Sequence, residues 1–96
     1  MFNESYLNEL HKKNVAINGK PWHLLKLAEE CNELATAILQ WTTKGADELF
    51  IQKEAGDVEI ALCHLREIYG SYEIDKAKEE KYYRIDKKLH EQENNI

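Results

Sequence analysis

Two stretches of this chain repeat apolar residues at steps of three and four, and each holds carboxylates three residues apart. In the first, Leu24, Leu27, Ala28, Cys31, Leu34, Ala35 and Ile38 form the stripe, with Glu29, Glu30 and Glu33 set into it. In the second, Ile51, Ala55, Val58, Ala61, Leu62, Leu65 and Tyr69 form the stripe, with Glu54 and Asp57 among them. This period is that of an amphipathic helix, so the chain must accommodate two long helices. Residues three apart are neighbours on one helix face. Glu30 with Glu33, and Glu54 with Asp57, are therefore like-charged pairs, which are destabilising unless a cation sits between them. Two such pairs on consecutive helices point to a bound divalent metal.

Local signals place these helices within an all-α bundle of about four, with no convincing strand. Phe2, Tyr6, Leu7 and Leu10 predict a short first helix that frays at Lys12-Lys13-Asn14, followed by Val15-Ala16-Ile17 as an apolar link. Asn18-Gly19-Lys20-Pro21 is turn chemistry, with Pro21 suited to the first turn of a second helix running to about Thr43. Lys44-Gly45 is a stop signal. Asp47 is a suitable N-cap for a third helix that ends at Gly70. Asp75 is the expected cap of a fourth, carried by Tyr82, Ile85 and Leu89 and fading over residues 91–95.

Helical projection shows where the acids point. At about 100° per residue, Glu30 lies roughly 100° and Glu33 roughly 160° from a stripe centred on Cys31. His23, Lys26, Ala37 and Trp41 share that flank. On the third helix, Glu54 and Asp57 lie roughly 40° and 100° from a centre at Val58, beside Ala61 and His64. An acid that close to an apolar seam is costly without a partner. A short connection favours antiparallel packing, which would bring both pairs together at mid-length as a four-carboxylate cluster. Oxygen ligands without thiolate or imidazole favour Mg²⁺, with Mn²⁺ as a possible substitute. Such a site can polarise a phosphoryl oxygen and activate a water.

Composition narrows the field. With 96 residues, residues 1–96 read as a single domain whose core is small, so completion by oligomerisation is expected. A net charge of −5 argues against a duplex nucleic-acid partner. No apolar run approaches a membrane span, and Met1-Phe2-Asn3-Glu4-Ser5 has no basic or apolar leader character. The cytoplasm is the expected location. Cys31 and Cys63 fall in apolar helical patterns and read as small buried hydrophobes, without the CxxC spacing of a zinc site.

Glu29-Glu30-x-x-Glu33, twenty intervening residues, then Glu54-x-x-Asp57 resembles the signature of the MazG-like, all-α nucleoside triphosphate pyrophosphohydrolases. The resemblance implies Mg²⁺-dependent cleavage between the α and β phosphates, releasing a nucleoside monophosphate and pyrophosphate. It implies Glu30, Glu33, Glu54 and Asp57 as metal ligands, with Glu29 or Glu33 positioning or deprotonating the attacking water. It also implies a homodimer or homotetramer whose nucleoside triphosphate cleft draws on neighbouring subunits. Gln40-Trp41 looks like a Gln-Trp pair of relatives that hydrolyse dCTP, although here it is offset by one residue from the acidic motif. A tyrosine of those relatives is Ala61 in this chain. Lys81 and Arg84 match basic residues that help hold the phosphates in family members, and Lys88 extends that ridge.

Each assignment has a plainer counterpart. Paired acids can be a solvated helix face, and Glu80 with Arg84 is an ordinary i,i+4 pair. His23 and His64 can be packing or surface histidines, while His11 and His90 read as surface residues. Trp22 and Trp41 suit either a pocket wall or a subunit interface. A ferritin-like di-iron site needs Glu-x-x-His, and no acid here has a histidine three residues later. The enzymatic alternative is phosphoribosyl-ATP pyrophosphohydrolase of histidine biosynthesis. The non-enzymatic alternative is a helical interaction module that keeps only the bundle.

Overall fold

A computed structural model of the chain describes residues 1–95, in which the regular structure is entirely α-helical. The helices are α1 (Glu4–Asn18), α2 (Lys20–Lys44), α3 (Glu48–Tyr69) and α4 (Tyr72–Asn94). The turn signals fall where the residue chemistry requires them. Gly45 takes a left-handed conformation (φ 66°, ψ 29°); its N–H donates to the Trp41 carbonyl and the Ala46 N–H to that of Gln40, which ends α2. Asp47 then accepts a 2.9 Å bond from the Leu49 N–H and starts α3. The link is only Gly45-Ala46-Asp47, so α2 and α3 fold back as an antiparallel pair. Gly70 (φ 78°) closes α3.

Two expectations need correction. α1 does not fray at Lys12-Lys13-Asn14, and Val15-Ala16-Ile17 is its last helical turn, not a link. Asn3 caps it, accepting a 2.8 Å bond from the Tyr6 N–H. β-branched residues cost only tenths of a kcal/mol each in a helix, and packing of α1 against α3 and α2 outweighs that. Asp75 is not the cap of α4. The helix begins at Tyr72, and the Asp75 carboxylate accepts a 2.9 Å bond from Arg66 Nη1 near the end of α3. Glu73 and Asp75 both lie in the first turn, where acidic charge complements the helix dipole.

The largest departure concerns which faces meet. On α2 the buried residues are His23, Glu30 and Ala37, and on α3 they are Ala61 and His64. On α2 that line lies about 100° from the stripe centred on Cys31. The helices therefore turn their acid-bearing flanks toward each other, and small Ala37 and Ala61 let them approach. Cys31, Ala35, Ile38 and Leu62 remain exposed, so neither cysteine is buried as expected. A wheel finds the apolar centre of a helix but not which of several neighbours that centre meets.

The result is an open molecule. Its radius of gyration is 17.2 Å, against about 12.5 Å expected for a compact domain of this length. Its accessible surface is 7958 Å² at a mass of 11.3 kDa, against about 5,700 Å² for a typical folded monomer of that mass. No residue of α4 is buried, and Leu25, Leu39, Phe50, Tyr82 and Tyr83 are all more than half exposed.

Where α1, α2 and α3 converge, three imidazoles meet, one pair edge-on and the other tilted. His64 lies 4.7 Å from His23 and 4.9 Å from His11, centroid to centroid. His23 Nε2 is 3.1 Å from the Asn14 carbonyl, which can only accept, so the proton sits on Nε2. Burial first, then the proximity of His23 and His11, hold His64 below its ordinary pKa of 6.5. The other charged groups lining the recesses beside it are Lys13 of α1, Lys26 and Glu30 of α2, and Asp57 and Glu59 of α3. A lowered native pKa means the unfolded chain binds the proton more readily. The His64 contribution is therefore complete above the unfolded value of 6.5 and is lost as pH falls through it. The melting temperature should fall between about pH 7.5 and about pH 5.5, and His64→Leu should flatten that fall. Equal slopes in the two proteins would contradict this account.

Candidate metal centre

The α2–α3 seam brings together the four acids that sequence spacing singled out. One carboxylate oxygen from each of Glu30, Glu33, Glu54 and Asp57 lies within 4.8 Å of the other three. Antiparallel packing sets Glu30 near Asp57 at one end of the cluster and Glu33 near Glu54 at the other. Each couple lines its own recess. The first, about 200 Å³, is walled by Trp22, Lys26, Ala61 and His64; the second, about 220 Å³, by Thr36, Ala37, Gln40 and Phe50.

Burial makes the cluster chemically demanding. Glu30 is 7% exposed and Glu54 is half-buried. Oε2 of each is buried without a hydrogen-bond partner. A buried carboxylate oxygen with no donor costs more than a kcal/mol, and here two share one seam. Glu33 reports the strain from the exposed side. The negative charge of Glu30, then loss of solvation and the charge of Glu54, raise its pKa above the usual 4.5.

A divalent cation is a fitting missing partner. The donor set is all oxygen, which suits Mg²⁺ or Mn²⁺. At about 2.1 Å per bond, opposite ligands of Mg²⁺ stand about 4.2 Å apart, so a cluster 4.8 Å across needs only slight contraction. Among the described residues this is the group of His, Cys, Asp and Glu whose ligand atoms converge in this way. The three clustered histidines are close by their rings, not by a shared set of nitrogen atoms.

The remaining sequence-assigned residues fall in three places. Glu29 sits beside the cluster on the exposed surface, with Oε1 3.8 Å from Lys26 Nζ. Trp22 lines the first recess, whereas the buried His23 is not among its walls; their rings meet edge-on at 4.8 Å. Gln40 lines the second recess, whereas Trp41 is not among its walls and is 43% exposed. Lys81 and Arg84 are exposed on α4, which packs along none of the other helices, so one chain does not bring them to the carboxylates. Lys26 is the residue whose role the sequence reading missed. Its Nζ is 3.1 Å from Glu30 Oε1, and the Glu30 hydrogen bond, then the charge of Glu29, raises its pKa above 10.5. Its spacing of three and four residues before two glutamates was the available signal. Thr36 and Phe50 carried none, because they reach the site only through the pairing of two helices.

A further recess, about 680 Å³, lies between α1 and α3, lined by Leu7, Leu10, Ile17, Ile60 and Cys63 among others. Its lining is mostly apolar and offers no convergent acid pair. No protein-family model, curated protein or solved structure matches the chain. Among the described residues, no helix is long and apolar enough to cross a membrane.

Cation binding to the folded cluster must raise stability by mass action. Free Mg²⁺ at about one hundred times its dissociation constant adds about 2.7 kcal/mol, on the order of 10 °C in melting temperature for a chain this short. Glu54→Gln should lose most of that rise in a thermal melt with and without Mg²⁺. A wild-type melting temperature indifferent to millimolar Mg²⁺ would contradict the assignment.

Proposed function

We propose that this chain is a Mg²⁺-dependent nucleoside triphosphate pyrophosphohydrolase of the MazG-like, all-α kind. It would cleave NTP or dNTP between the α and β phosphates to release a nucleoside monophosphate and pyrophosphate. The observation that carries the reading is the convergence of Glu30, Glu33, Glu54 and Asp57 on one seam, with two buried oxygens left without partners. An acid cluster of that kind suits a substrate that arrives as a polyanion with its own need for divalent cations.

Glu30, Glu33, Glu54 and Asp57 would hold the metal. When bound, Mg²⁺ supplies charge stabilisation at the phosphoryl oxygens and lowers the pKa of a water. The protein supplies the rest. Glu33, at the exposed end of the cluster, is the favoured acceptor of the water proton. Glu29 stands at the solvent edge, where it can orient that water. Trp22 on one side, and Gln40 with Phe50 on the other, offer walls against which a base can stack or bond.

The reading includes assembly into a homodimer or homotetramer. The accessible surface exceeds that of a typical monomer by about 2,200 Å², more than the roughly 800 Å² per partner of a standard interface. The exposed stripe of α2 and the bare length of α4 are the surfaces to be covered. In such an assembly, Lys81 and Arg84 reach the phosphates from a neighbouring subunit, and Trp41 closes the cleft.

Pyrophosphate release over a panel of canonical and damaged NTPs and dNTPs, with phosphoribosyl-ATP beside them, tests the proposal and separates it from its enzymatic alternative. Glu33→Gln and Asp57→Asn should each lower turnover at least about a hundredfold with far-ultraviolet circular dichroism unchanged. Light scattering should give two or four times 11.3 kDa. Full activity in both variants would overturn the site assignment, and no activity on any substrate would leave the interaction module as the better reading.

A further inference from the structure

Lys26 stands apart from the other paired cations of the described residues. Lys12 pairs with Glu9 and Arg66 with Asp75, both away from the acid cluster. Lys26 instead places Nζ 3.1 Å from Glu30 Oε1 and 3.8 Å from Glu29 Oε1, at the edge of the acid cluster. Glu30 is thereby divided. One oxygen meets the ammonium, while the other is buried toward the seam and unpartnered. The Lys26 side chain remains 41% exposed and lines the recess that also contains Trp22, Glu30 and Asp57.

These facts give the ammonium two possible places within its own reach. In the metal-free protein it lies against Glu29 and Glu30, where it offsets part of the repulsion among the acids. A divalent cation held by Glu30 and its three companions takes over that neutralisation. The ammonium is then repelled by the metal and loosely held by a solvent-reached pair, which is weak. The adjoining recess is where it can turn, and a phosphate chain brought there offers it new oxygens.

We propose that Lys26 is a transferable counter-ion, occupying the acids in the metal-free protein and passing to the substrate's phosphates when metal binds. This rests on the metal-and-triphosphate reading above. It places the phosphate end of the substrate in the Trp22–Lys26–Asp57 recess and so leaves the base to the Gln40–Phe50 side. It also gives each chain a phosphate-binding cation of its own, independent of any residue donated by α4.

The transfer predicts changes of opposite sign in one variant, which a merely structural lysine would not produce. By isothermal titration calorimetry, Lys26→Met should bind Mg²⁺ alone about three- to tenfold more tightly than wild type, because a competing positive charge has gone. The same variant should bind pyrophosphate in the presence of Mg²⁺ at least about tenfold more weakly. Lys26→Arg keeps the charge and should stay near wild type in both titrations. Lys44→Met, which removes a surface charge at the far end of α2, should also leave both unchanged. If wild type binds Mg²⁺ and Lys26→Met matches it in both titrations, or loses affinity in both, the counter-ion role is wrong while the metal site stands. If wild type binds no Mg²⁺, the metal reading fails and the counter-ion role falls with it.

Discussion

The pairing of α2 with α3 along their acidic flanks is the constraint on which the rest of the molecule depends. Two helices of this kind would ordinarily bury their apolar stripes against each other. Here the seam is instead lined by His23, Glu30 and Ala37 on one side and Ala61 and His64 on the other. Alanines at the crossing allow close approach, and closeness is what drives four carboxylates within 4.8 Å of one another. The electrostatic cost of that arrangement is partly offset by Lys26 and otherwise left standing, as the two orphaned oxygens and the raised pKa of Glu33 record. Polar groups buried without partners in an otherwise ordinary helix pair mark a place where stability has been given up for binding.

Turning the acids inward has a second consequence. The α2 stripe is displaced by about a quarter turn, so Ala28, Cys31, Ala35 and Ile38 stay exposed, whereas Ala61 of the α3 stripe is buried in the seam. The exposed α2 stripe and the bare α4 both add to the excess surface. The histidine cluster joins α1 to the other two helices. The proposed metal site and the proposed assembly are thus linked. On that reading the exposed α2 face is the one a neighbour would cover, because the acid-bearing faces already meet each other.

Much of this was legible in the residues. Asp47, Gly45 and Gly70 located helix ends because capping is local chemistry. The four carboxylates were identifiable because three-residue spacing on a helix and a short antiparallel link fix proximity with little further information. Their placement beside Ala61 and His64 was visible on the wheel. What failed was anything requiring knowledge of the partner face. Cys31 was expected in a core because apolar periodicity does not say which neighbour it meets. Residues 15–17 were expected as a link because tertiary contacts outweigh weak propensity. Asp75 was expected as a cap, whereas its carboxylate serves Arg66, nine residues earlier. Lys26 was placed on the correct flank and given no role, since an i,i+4 pair on a helix is usually ornamental to stability. Burial of its partner is what changes its meaning, and burial is a property of the fold.

The central claim is that the seam of α2 and α3 is built around a divalent cation. A crystal grown with Mn²⁺ and measured for anomalous scattering tests it most directly, because it locates the ion without reference to any substrate or rate. The account predicts at least one strong anomalous peak bonded at about 2.2 Å to carboxylate oxygens of Glu30, Glu33, Glu54 and Asp57. It is contradicted by a well-ordered seam without a peak, its acids held only by Lys26, water or shared protons.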